Sequence, residues 1–141
     1  MRLNVYLNYG GNCEQAFRFY EEHLGGKITM MARHKDQPHP ESVPANWQNA
    51  VLHARIEIGD AVVMGADIPP DVFKPMRSAY LTILADSAEQ AEQLYALLGK
   101  DGEIFTKMEE TFFASRFAML RDKFGTSWML LHERVDSRPR A

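Results

Sequence analysis

The stretch Val5-Tyr6-Leu7-Asn8, followed by Cys13-Glu14-Gln15-Ala16, Tyr20 and Leu24-Gly25, returns as Ala79-Tyr80-Leu81-Thr82, followed by Ala88-Glu89-Gln90-Ala91, Tyr95 and Leu98-Gly99. The offset is 74 or 75 throughout. An alternating run that gives way to helical spacing is a strand-plus-helix signature, and its recurrence at half the chain length predicts a duplicated α+β unit. Paired units of this kind usually enclose a shared cavity, where function is to be sought.

In the first unit, residues 3–9 alternate and suit a strand, and Asn12 stands at a helix N-cap position. From about Cys13, the residues Ala16, Phe17, Phe19, Tyr20 and Leu24 recur near helical spacing until Gly25-Gly26 ends the run. Lys27 to Arg33 reads as a second strand. His34 to Asn46 carries Pro38, Pro40 and Pro44 among polar residues and reads as a long exposed loop that moves over a pocket. Val51–Ile58 and Ala61–Gly65 form a hairpin across Gly59-Asp60.

A linker of about residues 68–77 follows, opened by Ile68-Pro69-Pro70-Asp71 and closed by Lys74-Pro75. Ser78–Ala85 is the second unit's first strand, and Asp86 or Ser87 caps a helix whose buried stripe is Ala88, Ala91, Leu94, Tyr95 and Leu98. Glu103–Lys107, Phe117–Arg121 and Ser127–His132 are the remaining strands. The layout is α+β: two tandem βαβββ units, about 1–67 and 78–134, forming a curved mixed sheet with helices on its convex side, then a tail, 135–141.

A chain of 141 residues with 45% apolar content fits one domain with a real core. It contains no apolar run near the roughly 20 residues that cross a bilayer, and its start reads as a strand instead of a signal peptide, so a cytoplasmic location and no membrane partner are expected. A net charge of −3 offers nucleic acid no electrostatic attraction. Arg134, Arg138 and Arg140 read as a solvated terminus. The single cysteine, Cys13, excludes an internal disulfide and a cysteine-rich metal site.

Gly11-Asn12-Cys13-Glu14-Gln15-Ala16-Phe17-Arg18-Phe19-Tyr20, the Gly-Asp hairpin leading to Met64-Gly65-Ala66-Asp67, and Glu109-Glu110-Thr111-Phe112-Phe113 through Asp122-Lys123-Phe124-Gly125-Thr126-Ser127-Trp128-Met129 together resemble PhnB-like proteins. These belong to the vicinal oxygen chelate superfamily of glyoxalase I, extradiol dioxygenases, and bleomycin and fosfomycin resistance proteins. The resemblance covers nearly the whole chain and implies a homodimer.

Superfamily enzymes hold one divalent metal with His, Glu or Gln from the first and last strand of each unit, leaving positions open to substrate. In this chain those positions fall near Tyr6, Met64, Tyr80 and Met129, none a usual ligand. A register shift of one to three residues brings in Asn8, Asp67, His132 or Glu133 as the fallback set. Two further departures bear on the cavity: Phe113-Ala114 stands where the branch usually has Trp-Gly, and Ala118 where it often has Gly, so the cavity wall is expected to be reshaped.

Strand parity puts Tyr6, Asn8, Tyr80 and Thr82 opposite Leu7, Tyr9, Leu81 and Ile83, so two phenols, an amide and a hydroxyl are expected to face the cavity. With Phe113 and Trp128 from the signature segments, they are the expected ligand contacts. The weaker, catalytic candidates are His53 and Glu57, four apart on one strand face, and Glu110 beside aromatics that raise a carboxyl pKa. The bland alternatives are an outward polar pair for the first two and a loop anchor for Glu110. His34, Asp36, His39 and Glu41 have ligand-competent types but sit in the proline-rich loop and read as solvated. Cys13 opens a helix, yet it lacks a neighbouring base and reads as a small buried side chain.

Gly10-Gly11-Asn12 is a strand-to-helix turn and not a dinucleotide fingerprint. Sequences resembling this one have been labelled ubiquinone-pathway methyltransferases, but no Gly-rich S-adenosylmethionine site is present, so methyl transfer is not expected. Phosphonate binding is implied by the PhnB resemblance alone, since Arg33, Lys107, Arg116 and Arg121 are dispersed. The expectation is a homodimer that binds a small molecule in its concave cavity with no cofactor and no catalytic metal. The alternatives are a metal-dependent lyase, isomerase or dioxygenase with shifted ligands, a metal-free enzyme, and a resistance protein that sequesters a drug.

Overall fold

Strand β1, Val5–Tyr9, sorts its side chains by alternation: Leu7 and Tyr9 are 4% and 2% exposed, whereas Tyr6 is 48% exposed. The buried side lies against helix α1, Cys13–His23, which turns Cys13, Ala16, Phe17 and Tyr20 inward. The helix stops where Gly25 takes a left-handed φ of 66° and the Leu24 backbone N–H closes on the Tyr20 carbonyl. Strands β2 (Lys27–Arg33), β3 (Val51–Ile58) and β4 (Ala61–Asp67) complete a four-stranded sheet in the order β1-β4-β3-β2. β1 runs parallel to β4 and the other pairs are antiparallel.

The computed structural model describes residues 1–134, so the expected tail and the arginines 138 and 140 lie outside the described residues. It divides into two compact units, Met1–Pro75 and a second that begins at Met76. The second unit repeats the plan with β5 (Leu81–Leu84), α2 (Ala88–Gly99), β6 (Glu103–Glu109), β7 (Ala114–Arg121) and β8 (Ser127–Glu133), in sheet order β5-β8-β7-β6. The mixed sheet of the βαβββ expectation is thus built as two four-stranded sheets, one per unit. Among the described residues no helix is long and apolar enough to cross a membrane.

Sheet register, with Met64 and Met129 matched as the corresponding positions of the two units, shifts the alignment of the repeat. Leu7 pairs with Gly65 in unit one, and Ile83 pairs with Leu130 in unit two; likewise Tyr6 pairs with Met64, and Thr82 with Met129. The counterpart of Tyr6 is therefore Thr82 and not Tyr80, and that of Asn8 is Leu84. The strand offset is then 76 while the helices keep 75, although three residues separate strand from helix in both units. Both residues share a face under either alignment, since strand side chains repeat every two.

The helices are also capped differently. Asn12 makes no side-chain cap bond, whereas Ser87 accepts the Gln90 backbone N–H at 3.0 Å. In unit one the acceptor is Asp67, at the end of β4. The loop between β2 and β3 contains three short 3-10 turns, His34–Asp36, Pro40–Ser42 and Ala45–Trp47, in place of a featureless exposed segment. His34 is 9% exposed, against the solvated reading, and neither ring nitrogen has a hydrogen-bond partner.

Candidate functional site

The face of the unit-one sheet turned away from α1 carries a cluster of polar side chains. β1 supplies Tyr6 and Asn8, β4 supplies Met64 and Ala66, β3 supplies His53, Arg55 and Glu57, and β2 supplies Met30. Register sets one row as Tyr6, Met64, Arg55 and Met30, and next to it Asn8 pairs with Ala66 and His53 with Ala32. The Tyr6 hydroxyl reaches over β4 to His53 Nδ1 at 3.1 Å, and the two rings stack with centroids 5.6 Å apart. Ala66, between them on that face, is 5% exposed; a small side chain there leaves room for the rings to meet.

Burial pushes the Tyr6 phenol above its ordinary pKa, helped by its proximity to Cys13. The phenol therefore keeps its proton at neutral pH and is able to donate. Arg55 Nη1 donates to Glu57 Oε1 at 2.8 Å and to Thr29 Oγ1 at 3.1 Å. The structure thus separates the expected His53–Glu57 pair: His53 goes to Tyr6 and Glu57 to Arg55. Sequence spacing had placed them on one face, but it held no signal for the cross-strand partners, which depend on register.

The same rows place residues at the superfamily metal positions. With the register corrected they are Tyr6, Met64, Thr82 and Met129, two of which are thioethers and none an imidazole or carboxylate. This donor set does not fit a hard divalent cation. Two of the fallback residues point the other way. Asp67 and His132 lie on the helix-facing side of their strands, opposite in parity to Met64 and Met129. Asp67 is 4% exposed and its oxygens accept the backbone N–H groups of Gly11, Cys13 and Val51 at 3.1, 2.9 and 2.9 Å. His132 bonds the Ser115 hydroxyl through Nδ1, and Glu133 ends β8 exposed. Among the described residues no group of three or more His, Cys, Asp or Glu side chains is placed to hold a metal ion.

In unit two, Thr82 is exposed on the face away from α2, and Tyr80 packs edge-on to Phe105, with the Arg121 guanidinium 5.1 Å from that ring. Phe113 is 38% exposed and packs edge-on against Phe117 and Phe112. Trp128 departs from the ligand-contact expectation. It is 4% exposed, on the side of Leu120 and Leu130, and its indole N–H donates to Asp122 Oδ2 at 2.9 Å. Ala114 and Ala118 are fully buried, and Ala118 pairs with Leu130 on the helix side, so its methyl group fills core and reshapes no cavity wall. Glu110 pairs with Arg134, while the turn beside it is anchored by the Thr111 hydroxyl, which accepts the Phe113 and Ala114 backbone N–H groups.

Two clefts border the proline-rich loop of unit one. One, of about 240 Å³, is lined by Gly11, Glu14, Gln15, Asn46, Trp47 and Asn49; the other, of about 410 Å³, lies between Val43-Pro44 and Pro69-Pro70. Glu14 and Asp67 in the first are committed to partners, whereas the buried indole N–H of Trp47, which lines both, has none. Arg33 donates to both Glu14 oxygens at 2.9 and 2.8 Å, and these bonds hold the Glu14 carboxyl below its usual pKa. The loop was legible as bordering a pocket, but its lining residues carried no motif.

A family model described as 3-demethylubiquinone-9 3-methyltransferase matches residues 2–131. The chain belongs to this family. Its relatives include protein YjdN of Escherichia coli strain K12, 28% identical over 92% of this chain and 94% of that one. The crystal structure of protein PA1353 from Pseudomonas aeruginosa is 32% identical, covers 94% of this chain and 98% of its own, and superposes with a TM-score of 0.85. A Bacillus cereus protein described as a putative 3-demethylubiquinone-9 3-methyltransferase, PhnB protein, shares the fold at 24% identity and a TM-score of 0.71, covering 94% of this chain and 99% of its own. A glyoxylase/bleomycin resistance protein/dioxygenase domain from Frankia sp. EAN1pec shares the fold at 17% identity and a TM-score of 0.66, covering 96% and 93%. The chain is thus a PhnB-like family member with the glyoxalase fold, as the sequence motifs implied.

Proposed function

We propose that this PhnB-like protein binds a small organic molecule on the helix-free sheet faces, acts as a homodimer, and uses no catalytic metal. The observation that carries the reading is the Tyr6–His53 bridge: an ordered polar pair on a partly exposed sheet face, where Met64 is the β4 neighbour of Tyr6. Polar groups held in place by one another and flanked by thioethers suit recognition of a ligand with both apolar and hydrogen-bonding parts. Methyl transfer, which the family description names, would need a site for a methyl donor, and Gly10-Gly11-Asn12 supplies none.

The test is a metabolite and antibiotic library screened by thermal shift with and without a chelator, alongside light scattering at micromolar concentration. The expected result is a hit whose melting shift survives chelation and is reduced in Tyr6→Phe, from a protein of dimeric mass. Stoichiometric bound metal, or hits that require Mn, Ni, Zn or Fe, would overturn the metal-free reading. A monomer would overturn the homodimer.

A further inference from the structure

The cluster around His53 is specific about hydrogen-bond polarity. A phenol is a better donor than acceptor, because conjugation draws its lone pair into the ring, and the Tyr6 hydroxyl keeps its proton at neutral pH. Across the 3.1 Å contact with His53 Nδ1 the phenol is the stronger donor, which favours the tautomer with its proton on Nε2. Among the described residues Nε2 makes no hydrogen bond. The bridge therefore presents one oriented N–H, with the Asn8 amide on the same face.

The cluster is also electrically balanced. Arg55, two residues along the same face, is neutralised by Glu57 at 2.8 Å. An anion approaching Nε2 gains little long-range attraction and meets the Glu57 carboxylate behind Arg55. A neutral acceptor loses nothing by comparison. Around the N–H lie flat, soft groups: the two stacked rings, with Met64 and the 45% exposed Met30 in the adjoining row.

We infer that this face recognises a neutral, planar aromatic molecule through an exocyclic carbonyl oxygen that accepts the His53 Nε2 proton, with Tyr6 as the residue that fixes the tautomer. The inference rests on the small-molecule reading above and adds the ligand class. Tyr6 is a positioning residue for the bond, and His53 is the donor.

Three probes of one size separate the possibilities: 1-acetonaphthone with a neutral carbonyl, 1-naphthoate with an anion, and 1-ethylnaphthalene with no acceptor. Dissociation constants are measured by fluorescence at pH 8, and the His53 tautomer is read from its ring nitrogen-15 shifts in the ligand-free protein. The expected pattern is a protonated Nε2 and unprotonated Nδ1, with 1-acetonaphthone bound about fivefold more tightly than either other probe, as one neutral hydrogen bond supplies. In Tyr6→Phe the nitrogen shifts move towards a mixture of tautomers and the carbonyl preference falls; in His53→Phe the preference disappears. A proton on Nδ1, tighter binding of 1-naphthoate, or an unchanged preference in either variant would overturn the ligand class while leaving small-molecule binding intact. No binding of any probe or library compound would overturn both.

Discussion

Asp67 Oδ1, at the end of β4, accepts the backbone N–H of Cys13, the first residue of α1, at 2.9 Å. This carboxylate performs from across the unit the capping task that Asn12 leaves undone, and its other oxygen holds the start of β3 through Val51. Asp67 thereby ties the strand-to-helix turn to two strands.

Removing it leaves three backbone donors without an acceptor. Asp67→Ala is expected to lower the unfolding free energy in urea by about 3 kcal/mol, given the cost of unsatisfied buried polar groups. Asp67→Asn, which keeps one oxygen, should lose less. Neither change should alter metal content. An Asp67→Ala protein as stable as the parent would show that the cap contributes nothing.

Cys13 sets the alkaline limit. Burial pushes its thiol pKa far up, and the charges of Asp67 and Glu14 add to the effect. The folded thiol thus stays protonated where the unfolded one, with a pKa of about 8.5, ionises. The folded state then binds the extra proton, so this stability is fully present below about pH 8.5 and falls above it by up to about 1.4 kcal/mol per pH unit. Tyr6, also raised, adds a fall in the same direction beginning near the ordinary phenol pKa of about 10. Unfolding free energies from pH 7 to 10 should decline less steeply in Cys13→Ala than in the parent. Parallel curves would refute the assignment, as would rapid labelling of the native thiol, which burial should prevent.

Trp128 and Asp122 form a second buried polar tie. The Asp122 carboxylate also accepts the backbone N–H groups of Phe124 and Thr126 at 2.9 and 3.0 Å, shaping the β7–β8 turn. Trp128→Phe removes one donor and part of a ring, and a loss of about 2 kcal/mol is expected with probe binding unchanged. Loss of binding in a variant that remains folded would return Trp128 to the ligand contacts.

The elements themselves were legible because alternation and helical spacing are local: β1, α1, the Gly59-Asp60 hairpin and α2 fall where their residues put them. Parity was legible for the same reason, and it put Tyr6 and Asn8 on the face opposite Leu7 and Tyr9. Register was not. The repeat aligned Tyr6 with Tyr80 because both are tyrosines after an apolar residue, whereas the sheet aligns Tyr6 with Thr82, and only long-range pairing with Met64 and Met129 reveals it. Trp128 and Asp67 were singled out by segment and strand end and not by strand side, and only the pairing shows that both lie on the helix-facing side.

Register also exposes a trade between the two cores. Gly65 and Leu130 hold the same position, each paired to the first and third strands of its own unit through Leu7 and Ala54 or through Ile83 and Ala118. In unit one the helix fills the space with Phe17, fully buried, and a Cβ on Gly65 would meet Phe17 Cζ at 2.9 Å and the Leu7 carbonyl oxygen at 3.1 Å. In unit two the helix position matching Phe17 is the exposed Glu92, and the sheet carries Leu130, 1% exposed, where unit one has Gly65. Gly65→Ala is therefore expected to destabilise by about 2 kcal/mol through overpacking, because neither the backbone oxygen nor the enclosed ring can yield cheaply. Shortening the ring should relieve it. In a double-mutant cycle, Phe17→Leu and Gly65→Ala together should cost less than the sum of their separate effects, measured by urea unfolding. Strict additivity would mean that the two side chains do not compete for one volume, and the size exchange between the units would then be accidental.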